Sequence, residues 1–177
     1  MLNVQHIGIA LAAAGLLAPR ALPAPRADEH AEVVQAIADF KQKDPTIAKF
    51  FESSAGYAVF PSIGKGAIGI GGAHGNGELL VGGKAIGSTS MTQVTIGLQL
   101  GGQSYAEVIF FEDQKTLDAF KKGDYEFAAQ ASAVALKSGA AANAKYASGV
   151  AVFTMAKGGL MYEASIGGQK FSYKAYK

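Results

Sequence analysis

The sequence predicts an α+β domain. Its sheet is expected to be mainly antiparallel, glycine-rich and strongly curved or barrel-like, with two helices at the N-terminal side and two more inserted between strands. Three observations lead there. Two amphipathic runs fill residues 29–54; 14 of the 23 glycines fall within residues 56–102, among short β-type runs; and two further β-type runs flank Gly167-Gly168.

In chain order, residues 29–42 (EHAEVVQAIADFKQ) space Val33, Ile37 and Phe40 at four and three, with Val34 widening the stripe and acids opposite. That spacing predicts an amphipathic helix. Pro45 interrupts it and opens a second helix over PTIAKFFESS, with Asp44 as N-cap and Gly56 as the stop. From Tyr57 the character turns to strand: YAVF, AIGI, ELLV and TQVTIGLQL. The clearest alternation covers residues 92–100, where Val94, Ile96, Leu98 and Leu100 share one side. Glycine inside strands marks bends and bulges, so these runs imply a curved sheet. Residues 105–112 (YAEVIFFE) are apolar on both faces and read as a central strand. Residues 114–122 place Leu117 and Phe120 three apart on a helix, and Glu112-Asp113 suit its N-terminal cap and dipole. The Ala-rich residues 125–137 read as a second inserted helix on propensity, followed by a surface loop over residues 139–149. Strands are expected at residues 150–156, 160–166 and 169–176, the last two paired as a hairpin through Gly167-Gly168.

Composition narrows the function. Hydrophobic residues make up 49% and charged residues 17% of the 177, which excludes an intrinsically disordered chain. The absence of cysteine excludes disulfides, thiolate metal sites and cysteine nucleophiles. A formal charge of +2 excludes a strongly basic nucleic-acid binder. Residues 7–18 form an apolar run of 12 followed by PRALPAPRA. The run is shorter than the roughly 20 residues a membrane-spanning helix needs, and it is expected to be the core of a signal peptide over residues 1–27. Residues 28–177 would then be one exported domain, periplasmic or associated with the outer membrane or cell surface. Charge is unevenly spread: residues 128–177 hold six lysines and one acid, so an anionic partner is expected there or beside Lys65 and Lys84.

Chemistry-bearing motifs are scarce. Gly64-Lys65-Gly66-Ala67-Ile68-Gly69 matches G-x-G-x-x-G, but β-type sequence follows where a dinucleotide site needs a helix N-terminus. Gly82-Gly83-Lys84 lacks the first glycine and the hydroxyl residue of a phosphate loop. Of three histidines only His74 is placed to act in a site, and one histidine makes a poor metal centre; it is expected in a loop between strands. No G-x-S-x-G elbow is present. The reading is a non-enzymatic chain with no catalytic residue, metal or cofactor.

Three segments together resemble the SYLF domain: residues 56–80 (GYAVFPSIGKGAIGIGGAHGNGELL), 95–120 (TIGLQLGGQSYAEVIFFEDQKTLDAF) and 159–176 (GLMYEASIGGQKFSYKAY). The last is similar to the bacterial form of the family. The resemblance implies binding of acidic phospholipids, phosphoinositides among them, with membrane remodelling and, in fungal members, actin regulation downstream. For an exported chain actin is not the expected native partner. Lys65, Lys84, Lys157, Lys170 and Lys174 are the candidate lipid-binding residues, because lysines near an anionic membrane contribute about 1 kcal/mol each. Lys170 and Lys174 should share one face of the last strand, with Phe171 and Tyr173 on the other. Two alternatives remain: a self-assembling envelope scaffold, and a carrier holding an apolar ligand inside a barrel.

Overall fold

A computed structural model describes residues 26–65, 72–94, 104–158 and 164–177. Helix α1 (Ala27–Lys43) leads through a short 3-10 turn (Pro45–Ile47) into α2 (Ala48–Ser53). Strands β1 (Gly56–Lys65), β2 (Gly72–Val81), β3 (Lys84–Val94) and β4 (Tyr105–Phe111) follow, then α3 (Gln114–Phe120). The remaining elements are β5 (Ser132–Ala135), β6 (Val150–Ala156), β7 (Ala164–Ser165) and β8 (Gln169–Ala175). The ladder runs β7-β5-β6-β4-β1-β2-β3-β8, antiparallel except between β5 and β6. The α+β class and the mainly antiparallel sheet are therefore as expected. The ladder is curved but not closed, so it is not a complete barrel. Its curl is visible in Gln169 of β8, whose amide reaches the Glu107 carboxyl of β4 at 3.1 Å although three strands intervene in the ladder.

The sheet is packed on both sides. On the inner face Phe60, Ile63, Met91, Ile109, Phe111 and Phe171 form one core, closed at one end by Leu117 and Phe120 of α3. On the outer face Val33, Ala36 and Phe40 of α1, with Ile47 and Phe50, cover Val59, Val108, Phe110 and Phe153. The helix stripe thus follows the expected spacing with Ala36 in place of Val34, which is 51% exposed. β4 pairs with β1 and β6 and buries all seven of its residues, as a central strand must. β1 also lies inside the ladder yet contains Pro61, which has no N–H to donate. The register of both its ladders slips there, making a bulge that removes the need for that hydrogen bond.

Two expectations fail, for one reason. Residues 125–137 contain no α-helix: Phe127, Ala133 and the half-buried Tyr125 and Ala131 point inward with a period of two, and that pattern outweighs the helix propensity of alanine. Tyr125 and Phe127 hydrogen-bond along β8 (Phe171 N to Tyr125 O, 2.8 Å; Phe127 N to Gln169 O, 3.0 Å), while β5 adds to β6. This extended stretch ties the two ends of the curved sheet together. It also takes β7 as the partner of β5 while β8 joins β3, so the expected hairpin of residues 160–166 with 169–176 is not formed among the described residues. Of the expected strand over residues 92–100, the first three residues end β3; the rest lie outside the described residues, as does the AIGI run.

Candidate functional site

The outer face of the sheet divides in two. Over β1, β4 and β6 it is apolar and covered by α1 and α2; over β2, β3 and β8 it is polar. The register there sets three cross-strand rows: His74, Thr92 and Lys170; Asn76, Ser90 and Ser172; Glu78, Ser88 and Lys174. Side chains alternate along strands, so all nine belong to one face. The hydroxyls of Ser90 and Ser172 meet across the pair at 2.6 Å. Neighbouring inward positions are buried, including Met91 and Phe171, which is why β3 can carry the run Ser88-Thr89-Ser90 beside a core. His74 stands in this row on β2, not in a loop.

Glu78 is the exception on this face, being completely buried. His30 Nδ1 of α1 lies 2.7 Å from one of its oxygens, and the Tyr176 hydroxyl donates to the other at 2.8 Å. The phenol of Tyr176 has its pKa raised, first by burial and then by its bond to Glu78 and that group's charge, so it remains a donor. This pair of contacts draws the first turns of α1 and the chain end onto the polar face. Between them lies a cleft of about 320 Å³, lined by Arg26, Glu29, Ser88, Ser90, Ser172 and Lys174. Two cations and three hydroxyls against the single Glu29 carboxylate make a donor-rich pocket that can take an anionic oxygen group.

The sequence-predicted lysines are distributed unevenly about this site. Lys170 and Lys174 share the polar face as expected, with Phe171 in the core. Lys170 is 3.6 Å from Glu126, which draws on its charge; Lys174 has no ion pair among the described residues and lines the cleft. Lys84 begins β3 at the β2–β3 turn, beyond the Ser88–Lys174 row, and is exposed. Lys157 follows β6, on the other side of the ladder from β8, and lines a separate cleft of about 550 Å³ beside Met155 and α1. Lys65 ends β1, and its side chain lies outside the described residues. Arg26 and the serines were missed: Arg26 falls in the stretch read as leader, and the serines gain meaning only when β8 is known to pair with β3. Among the described residues no three His, Asp or Glu side chains converge as a metal centre would require, and no helix is long and apolar enough to cross a membrane.

Residues 92–175, from the last residues of β3 through β8, match the family model described as "Ysc84: Las17-binding protein actin regulator"; of the polar face they take in Thr92, Lys170, Ser172 and Lys174. Over residues 92–175 the chain carries a SYLF domain. Among curated proteins it is similar to Beta cell expansion factor A of Aeromonas veronii, 34% identical over 131 residues. The match takes in 73% of this chain and 49% of that protein, so the SYLF chain spans about half the length of its curated relative. SYLF is a family of binding domains, with lipids or actin as partners of some members.

Proposed function

We propose that this SYLF chain binds anionic phospholipid membranes without catalysis, seating phosphate oxygens in the cleft between Arg26, Lys174 and the serines of β3 and β8. The observation that carries the reading is the polar half-face: Ser88, Ser90 and Ser172 are flanked by Lys174 on one side and Arg26 at the start of α1. Hydroxyls give directed hydrogen bonds to phosphate, and the cations supply charge-assisted ones. Lys170 and Lys84 add long-range attraction at the rim. Binding of this kind is reversible, since three or four basic residues at about 1 kcal/mol each give only modest affinity. Removal of residues 1–27 as an export leader would take Arg26 with it and leave Lys174 and the three hydroxyls to hold the phosphate; the lipids met would then be those of the cell envelope, such as phosphatidylglycerol and cardiolipin.

Co-sedimentation of the protein with vesicles tests this. Vesicles of phosphatidylcholine alone should leave it in the supernatant, and vesicles with phosphatidylglycerol, cardiolipin or phosphoinositide should carry it down at low salt and release it at high salt. The double variant Lys174→Glu with Ser172→Asp should abolish that binding while keeping the far-ultraviolet circular dichroism of the parent. Equal pelleting with neutral vesicles, or an unaffected double variant, would reject the reading.

A further inference from the structure

The inner face holds a second polar group, unrelated to the membrane-facing site. Tyr105 and Glu107 of β4, Thr154 of β6 and Gln169 of β8 all point into the apolar interior, and the last three are completely buried. Glu107 and Thr154 are direct cross-strand partners. The Gln169 amide donates to Glu107 Oε2 at 3.1 Å and lies 3.4 Å from the Tyr105 hydroxyl. After those contacts three oxygens are left without a partner among the described residues: Glu107 Oε1, Thr154 Oγ1 and Gln169 Oε1. Buried polar atoms are nearly always satisfied, and three orphans on adjoining side chains point to something that belongs between them.

We propose that Glu107, Thr154 and Gln169 form a buried binding site for one monovalent metal cation of the sodium or potassium type. The donor set is oxygen only, which suits hard cations and not those that prefer nitrogen or sulfur. The charge count selects the valence. One carboxylate is present, and a single positive charge brings the interior to neutrality, whereas a divalent ion would leave a net charge in an apolar core. Among the described residues Glu107 forms no ion pair with Lys or Arg, and the metal ion supplies its counter-charge. The same oxygen can otherwise hold a proton, so cation and proton compete for Glu107. Tyr105 is its titratable neighbour, and burial raises the phenol pKa, keeping that group neutral throughout.

The experiment is thermal unfolding of the full chain at constant ionic strength, with choline chloride replaced stepwise by sodium or potassium chloride. At pH 9 the midpoint should rise and saturate with one of the two metal ions, and the rise should shrink at pH 6, where the proton occupies the carboxyl. Glu107→Gln should remove the response. Thr154→Val, which keeps the carboxyl and the side-chain shape, should shift the half-saturating concentration upward by about tenfold, and it serves as the decisive variant if Glu107→Gln fails to fold. Superimposable curves in sodium, potassium and choline would overturn the proposal, leaving a proton or a water in the site. So would a half-saturating concentration unchanged by Thr154→Val.

Discussion

With no metal ion bound, the Glu107 carboxyl, which forms no ion pair among the described residues, is held in the apolar interior as the neutral acid. Burial pushes the pKa of Glu107 up to about 8 from its ordinary 4.5, the hydrogen bond from Gln169 only partly opposing it. The folded chain therefore keeps a proton that the unfolded chain gives up between those two values. Stability from this group is fully present below pH 4.5, falls as pH rises toward 8, and is flat above. In choline buffers free of sodium and potassium, the unfolding midpoint should drop between pH 5 and 8. The accompanying loss from this one residue is about 2–4 kcal/mol. Glu107→Gln, a neutral shape mimic, should flatten the profile and exceed the parent in stability at pH 8.5; an unchanged slope would assign the pH dependence to other groups. Little of this was legible in the sequence. Residues 105–112 read as an apolar strand, and one glutamate among them looks like any outward residue until both faces are known to be covered.

Two local devices decide how the elements meet. Gly77 on β2 lies opposite the Pro61 bulge, where a Cβ would come within 2.1 Å of the Val59 carbonyl oxygen, a backbone atom that cannot swing aside. Gly77→Ala should destabilise by about 2–4 kcal/mol, well beyond the gain alanine brings through a stiffer unfolded chain. Denaturant midpoints compared with an alanine at the open Gly64 would show whether the cost is local to the bulge. Asp44 works at the other side: its carboxylate accepts from the backbone of Thr46 at 3.1 Å and of Ala141 at 2.7 Å, joining the helical entry to the turn that precedes β6. Burial works to raise its pKa, yet the bonds from Ala141 and Thr46 hold it below the ordinary 3.8. Its stabilisation is present above that value and is lost as pH falls through the folded pKa, and Asp44→Ala should cost about 1–3 kcal/mol at pH 7. The cap itself was readable, because Asp44-Pro45 is a local signal; its bond to Ala141, 97 residues away, was not. Residues 125–137 show the opposite case. Their alanines favour a helix locally, but Tyr125, Phe127, Ala131 and Ala133 have a place on the inner face only if the chain is extended.

At the scale of the molecule, strand order determines which charges act together. Lys170 and Lys174 could be assigned to one face from parity along a single strand, whereas the remoteness of Lys157 depends on the order β6-β4-β1-β2-β3-β8, which no local pattern encodes. The consequence is a ranking that a uniform basic surface would not give. Arg26 and Lys174 line the serine cleft, Lys170 shares its charge with Glu126, and Lys157 lies beside α1 and β6. On vesicles containing phosphatidylglycerol, Lys174→Ala and Arg26→Ala should each weaken binding about fivefold, corresponding to about 1 kcal/mol per basic residue. Lys170→Ala should cost about twofold, because an exposed ion pair already spends part of its charge, and Lys157→Ala should leave affinity within error. Removing Glu126 by substitution to glutamine should free Lys170 and strengthen binding, the one change in the set expected to act in that direction. Partition constants measured at two salt concentrations separate the terms, since each contacting cation that is lost should also shallow the salt dependence. Equal losses at all four basic positions would mean that overall charge alone drives association, and the cleft would have no part in it.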